Sequence, residues 1–368
     1  MKKVLIFSNH PAYTFNLRKE VIDGFVREGY HITLVVPYGE EIKYFEKMGV
    51  KLVDITLVGR TTNPLTDLKL LRDNIRIIKN EKPDVILTYT TKQNIYGGLA
   101  ARMTSVPYIP MMTGLGGAME NPGILQKITS TLYRAGTKKA TTVFVQNTAI
   151  LEKMKQFDMV NSPIRMTPGS GVSLERHAFA DYPEKETPLQ FVFIGRIMKD
   201  KGIFDLIEAI KRVKKTFPDV VFKIIGEGHL EEDTERVRAA EAEGLVEYLG
   251  PQADVRPYIR ESHATILPSY YEGMANVLLE SASAGRPVLA SNVPGCRETF
   301  DEGISGIGFE AKNVDSLTEA IERFIQLPYE KKREMGLAGR KKMEREFSRE
   351  LILQMYIEEI EKIGNKND

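Results

Sequence analysis

The stretch SYYEGMANVLLESASAGRPVLAS, Ser269 to Ser291, holds two glutamates at a spacing that chemistry can use: Glu272, directly before Gly273, and Glu280, two helical turns further on. The preceding ATIL run reads as a buried strand and the NVLLESAS run as a helix, so Glu272 falls in the loop between them. The amides of Gly273, Met274, Ala275 and Asn276 are then expected to be free at the helix start, with Val277 following. A carboxylate accepts paired hydrogen bonds from sugar hydroxyls, and helix-start amides suit phosphate or hydroxyl oxygens. One carboxylate on a hexose and the other on a ribose would use both glutamates. The alternative is a first-turn glutamate favoured by the helix dipole, plus a surface glutamate.

A second loop sharpens the first. FVFIGR followed by IMKDKGIFDLIEAI reads as a strand leading into a helix, with Gly195 and Gly202 bracketing a loop that carries Arg196, Lys199 and Lys201. A helix start flanked by fixed cations is an anion site suited to a diphosphate; a solvated basic turn is the plainer reading. The spacing matches neither G-x-x-x-x-G-K-[ST] nor G-x-G-x-x-G. Taken together, the two strand ends suggest a diphosphate between Arg196 and Lys201, its nucleoside towards Glu280 and its sugar towards Glu272.

The usual metal bridge to a sugar diphosphate has no obvious ligands, because the sequence has no Asp-x-Asp and no histidines at metal-binding spacing. No metal and no cofactor is expected, and cations must take the metal's place. His229, in the strand-end turn GEGHLEE, reads as solvated and His263 as structural; His177 receives no role.

The elements that must position these groups alternate along the whole chain. KVLIFS, HITLVVP, DVILTYT and TVFVQN are strands apolar enough to be buried on both faces, separated by amphipathic helices. After a Pro-, Gly- and Ser-rich segment the pattern restarts with FVFIGR, VVFKIIGEG, VEYLG, ATILPS and RPVLASN. The expected class is α/β: two doubly wound domains facing a cleft at the carboxyl ends of their sheets. We divide the chain into 1–170, a linker 171–188, 189–347, and a helix with tail 348–368. In the last helix Ser348 is the expected N-cap, with Leu351, Ile352, Met355 and Tyr356 on a common side.

The 368 residues, 42% hydrophobic and 27% charged, exclude disordered and fibrous classes. One cysteine, Cys296, excludes an internal disulfide framework and suits a reducing, cytoplasmic compartment. The apolar run Val4–Phe7 is too short for a signal peptide, and no run of about 18 apolar residues predicts a membrane span. The net charge of +1 conceals a basic first half and an acidic second half. A basic half suggests anionic lipid or phosphates; without clustered Arg and aromatic residues it does not suggest nucleic acid.

Gly195-Arg196-x4-Lys201-Gly202 with Glu272-x7-Glu280, followed by GRPVLASNVPGCRE, resembles the retaining glycosyltransferases of family four, over nearly the whole chain. The resemblance implies the glycosyltransferase-B fold, two Rossmann-like domains with a C-terminal helix crossing back. It also implies donor contacts at Gly195, Arg196, Lys201, Gly226, Glu272, Gly273, Met274, Ala275, Asn276, Val277 and Glu280. Arg196 and Lys201 would stabilise the departing diphosphate, Glu272 would hold the transferred sugar and Glu280 the ribose.

TYTTKQNIYGGLAAR and MMTGLGGAMENPGILQKITSTLYR are similar to a subset that builds bacterial surface polysaccharide on a polyprenyl diphosphate. That subset implies acceptor contacts at Asn9, His10, Thr14, Asn16, Arg18, Thr91, Lys92, Asn94, Thr113, Gly114 and Gly116. The family's glycine pair and histidine are absent, with SNHPAYTFNLR and Thr91 in their places. A helix over 125–139, with Leu125, Ile128 and Leu132 beside Lys127, Arg134, Lys138 and Lys139, fits either an anionic inner-leaflet surface or the sheet. The expected activity is transfer from a UDP-sugar to a polyprenyl-diphosphate-linked sugar. The alternatives are a nucleotide-sugar epimerase on the same fold and a non-catalytic sugar- or nucleotide-binding module.

Overall fold

The computed structural model describes residues 2–55, 63–119 and 122–364. The chain divides into two units, one formed by the residues up to Ser170 with those from Arg349, the other by Gly171–Ser348.

In the first unit the strands are β1 (Lys3–Phe7), β2 (His31–Val35), β3 (Lys51–Val53), β4 (Val85–Tyr89), β5 (Tyr108–Met112), β6 (Val143–Val145) and β7 (Ile164–Met166). Among the described residues they form one sheet in the order β3-β2-β1-β4-β5-β6-β7, with every pairing parallel. The chain leaves β1 in one direction and returns at β4 to build the other, so the crevice beyond the ends of β1 and β4 is a topological switch point. β4 and β5 are buried at every position, as strands covered by helices on both faces must be.

The helix Arg349–Gly364 belongs to this first unit. Of the four residues expected on a common side, Ile352 and Tyr356 are buried in its core together with Leu353 and Ile360, Met355 is half-buried against it, and Leu351 is exposed. Leu353 fills the space left by Gly24, where a Cβ would lie 2.2 Å from its Cδ2.

The second unit holds β8 (Gln190–Ile194), β9 (Val221–Ile225), β10 (Glu247–Tyr248), β11 (Ala264–Leu267), β12 (Val288–Ser291) and β13 (Gly306–Phe309). Its parallel order, β10-β9-β8-β11-β12-β13, repeats the logic, with the switch point between β8 and β11. The stretch 171–188 is not a free tether but packs on this unit. The buried Arg286 guanidinium donates to the carbonyls of Ala180 (2.9 Å) and Asp181 (2.7 Å), and Tyr182 Oη donates to the His263 carbonyl (2.9 Å).

His263 has the structural place expected of it. Its Nδ1 accepts from the Gln190 amide at 3.1 Å, which requires that nitrogen unprotonated. Burial, reinforced by Lys332 and Arg286, pushes its pKa down to about 4. A histidine held neutral by folding adds stability in full above its unfolded pKa of about 6.5 and loses it as pH falls towards the folded value. The contribution at stake is about 3 kcal/mol. Denaturant titrations should show wild-type stability falling between pH 6.5 and 4 more steeply than in His263→Asn; parallel curves would contradict the assignment.

Candidate functional site

The donor-site residues of the sequence pattern converge at the second unit's switch point. β8 ends into Gly195 and Arg196, and the neighbouring β11 ends into the loop that carries Ser269 and Glu272. Hydrogen bonds staple the two loops: the Tyr270 amide donates to the Asp200 carbonyl (2.9 Å), Tyr271 Oη to Asp200 Oδ2 (2.8 Å) and Tyr270 Oη to Asp205 (2.9 Å). Glycines permit the close approach. Gly202 has φ +67°, and a Cβ there would lie 2.0 Å from the Pro268 carbonyl oxygen; one at Gly226 would lie 1.8 Å from the Gly195 carbonyl oxygen.

Lys201 donates to Glu272 Oε1, and Ser269 Oγ donates to the same oxygen at 2.8 Å. Arg196 is exposed and makes no ion pair among the described residues. Beneath them Cys296 is buried; burial above all, and then the Glu272 carboxylate, pushes its thiol pKa up, so it stays protonated. Glu280 projects from the helix Asn276–Ser283, with His177 Nε2 3.9 Å from its Oε1.

The helix start is less open than the sequence suggests. The Ala275 amide donates to the Gly295 carbonyl at 2.8 Å, so it is not free, and the Met274 and Ala275 side chains are buried. Asn276 Oδ1 is buried and finds no hydrogen-bond partner among the described residues, an acceptor that a bound hydroxyl would satisfy. No group of three His, Cys, Asp or Glu side chains able to hold a metal ion occurs among the described residues.

The candidate acceptor residues gather beyond β1, β4 and β5 of the first unit, but they divide into two classes. Asn9, His10 and Gly116 are exposed, and Thr113 and Gly114 half-buried. Asn94 is instead fully buried, accepting from Thr88 Oγ1 and donating to the Met111 carbonyl, both at 2.8 Å. Thr14 is buried and bonded to Ser8 (2.6 Å) and the His10 carbonyl (2.7 Å). Arg18 is buried with its guanidinium 4.3 Å from the Tyr89 ring centre. In this structure these three side chains are engaged within the fold, unlike the exposed members of the set. Thr91 Oγ1 accepts from Tyr133 Oη (3.0 Å), Lys92 pairs with Asp67 (2.9 Å), and exposed Asn16 receives Arg349 on its carbonyl (2.7 Å).

Residues 175–342 match the family model described as "Glycosyl transferases group 1", and residues 3–147 match "Glycosyl transferase 4-like". This chain is a family 4-like glycosyltransferase. It is similar to the N,N'-diacetylbacillosaminyl-diphospho-undecaprenol alpha-1,3-N-acetylgalactosaminyltransferase of Campylobacter jejuni, 23% identical over 341 residues, covering 88% of this chain and 89% of the relative. It is also similar to the UDP-Gal:alpha-D-GlcNAc-diphosphoundecaprenol alpha-1,3-galactosyltransferase of Escherichia coli, 27% identical over 314 residues and 80% of each chain. HepE of Anabaena, solved with UDP and glucose, superposes with TM-score 0.80 at 16% identity, covering 98% of this chain and 100% of HepE. That likeness shows the fold, two parallel-sheet Rossmann-like domains in the glycosyltransferase-B class.

Three site features of the transferase escape its sequence pattern. His177 sits against Glu280 from a segment read as linker, and Ser269 shares Glu272 with Lys201. Thr90, after β4, holds φ +72°, a strained value for a β-branched residue, with its hydroxyl buried and unpartnered among the described residues. The serine three positions before Glu272 was the one signal that the sequence offered.

Proposed function

We propose that this transferase moves a hexose or N-acetylhexosamine from a UDP-sugar to a sugar carried on a polyprenyl diphosphate, with retention at the anomeric carbon and without a metal ion. The observation that carries the reading is the convergence of Arg196, Lys201 and Glu272 at adjacent strand ends flanking the switch point, with Glu280 on the helix that follows. The Campylobacter and Escherichia relatives, named for transfer to undecaprenyl-diphosphate-linked sugars, supply the substrate class.

The chemistry follows from where charge develops. As the glycosidic bond lengthens, the sugar becomes oxocarbenium-like and negative charge grows on the diphosphate. Cations already aimed at that diphosphate stabilise the transition state more than the ground state. Glu280 would bind the ribose hydroxyls and Glu272 the sugar. The departing phosphate takes the acceptor proton, so no separate protein base is required. The purified protein should be incubated with UDP-glucose, UDP-galactose and their N-acetylamino counterparts, with and without polyprenyl-diphosphate sugars, measuring UDP release, product mass and anomeric configuration. Acceptor-dependent release of UDP, unchanged by EDTA, is expected; isomerised donor without acceptor would indicate an epimerase, and loss with EDTA restored by magnesium would contradict the metal-free mechanism.

The proposed acceptor is a lipid, so contact with the inner face of the plasma membrane belongs to the same proposal. No helix among the described residues is long and apolar enough to cross a membrane. In the helix Ile124–Thr137, Leu132 packs on the core, but Ile124 is 79%, Leu125 48% and Ile128 51% exposed, beside exposed Lys127, Arg134, Lys138 and Lys139. Apolar side chains ringed by cations suit an anionic bilayer surface. Co-sedimentation with phosphatidylglycerol vesicles is expected, falling several-fold in I124S/I128S; equal binding to neutral phosphatidylcholine would remove the electrostatic part of the proposal.

A further inference from the structure

We infer that Glu272 occupies the place of the donor's phosphate on Lys201 until the donor arrives, and that the Ser269 hydroxyl then keeps the displaced carboxylate aimed at the sugar. The inference rests on the donor-site reading above. Its basis is one carboxylate oxygen with two donors of different character: Lys201 Nζ and Ser269 Oγ both donate to Glu272 Oε1.

Lys201 carries a point charge on a flexible four-carbon stem, at the end of the short turn Lys199–Lys201. Ser269 is fully buried, and its hydroxyl reaches Glu272 on a one-carbon arm from the end of β11. The long lysine stem can redirect its charge further than the short, buried serine arm can move. The two charged side chains are only 19% and 13% exposed, so each would be costly to leave unpaired, and the pair neutralises both in the unliganded protein.

A diphosphate carries more charge and more acceptor oxygens than a carboxylate and competes for the same ammonium. When it takes Lys201, Glu272 loses one donor and keeps Ser269, so the carboxylate is turned rather than lost. It can then accept from the sugar's hydroxyls. Sugar recognition thereby follows phosphate binding, and Ser269 is a positioning residue for Glu272.

UDP and UDP-sugar should respond in opposite directions, because UDP has no sugar for Glu272 to hold. In calorimetric titrations, Glu272→Gln is expected to bind UDP about fivefold tighter, as Lys201 is no longer held by a carboxylate, while its turnover of the most active UDP-sugar falls. Ser269→Ala should keep its UDP affinity within about twofold but lose about tenfold in kcat, with little change in donor KM, and Ser269→Thr should recover most of the loss. Unchanged or weaker UDP binding by Glu272→Gln would overturn the exchange. A Ser269→Ala variant with undiminished kcat, or with equal losses in UDP affinity and kcat, would overturn the positioning role. Lys201→Ala separates this inference from the reading beneath it: if that variant binds UDP as the wild type does, the donor site itself is misplaced; if it binds UDP weakly while Glu272→Gln gains nothing, only the exchange fails.

Discussion

Lys201→Ala is expected to lower kcat about a hundredfold, corresponding to about 3 kcal/mol of lost transition-state stabilisation. Lys201 lies at the switch point between β8 and β11, where the negative charge of the departing diphosphate would develop, and its ammonium is largely shielded from water. In such a site a fixed cation is worth more than in bulk solvent. The folded state also loses stability, about 1–3 kcal/mol, because Glu272 is left largely buried without its ammonium, although Ser269 still donates to it and the stapling bonds of Tyr270 and Tyr271 do not involve Lys201. Lys199→Ala, on the exposed side of the same turn, serves as the charge-matched control and should retain activity. Steady-state kinetics beside thermal melts decide the matter. Wild-type turnover in Lys201→Ala would end the diphosphate assignment.

Gly202→Ala is expected to damage both stability and turnover. Its left-handed φ of +67° costs an alanine about 1–2 kcal/mol, and a Cβ there falls 2.0 Å from the Pro268 carbonyl oxygen, adding roughly 1–3 kcal/mol of overpacking. Pro268 leads directly into Ser269–Glu272, so relieving the clash moves the loop that holds Glu272 away from Lys201. Gly244→Ala is the matched control, because Gly244 has φ +72° but nothing within 4 Å of the added Cβ. Denaturant titration should show Gly244→Ala losing only the backbone share and keeping its turnover. Equal losses in the two variants would show that the approach of the two loops is not under steric tension at Gly202.

Much of the architecture is legible because its determinants are local. β-branched runs such as VLIF and VILTY specify strands buried on both faces, and their alternation with amphipathic helices specifies a parallel sheet. Two strands argue against themselves in composition: β5 carries Pro110 in its middle, and β13 is half glycine. Both form because their neighbours bury them, which a local pattern cannot express. The last helix shows the same limit, since its apolar residues allow more than one buried face and contacts distant in sequence, such as Leu353 over Gly24 and Tyr356 among Phe25, Tyr89 and Phe144, select one.

For the site, the sequence by itself determined which chemical groups stand at the strand ends: Arg196 and Lys201 after β8, Glu272 and Glu280 after β11, and no Asp-x-Asp. Residue type and short spacing suffice there, because a strand's end and the start of the next helix lie within a few residues of each other. Only the tertiary structure decided which of those groups are already engaged. It paired Lys201 with Glu272, gave the Ala275 amide to the Gly295 carbonyl, placed His177 against Glu280 and closed Asn94 into the core between Thr88 and Met111. Apart from Asn94 with Thr88, these partners are well separated along the chain, and their contacts exist because sheet order and helix packing bring distant backbone together. A hydrogen-bonding group is available to a ligand where that packing leaves it unspent, or where, as proposed for Lys201, the ligand can displace its partner.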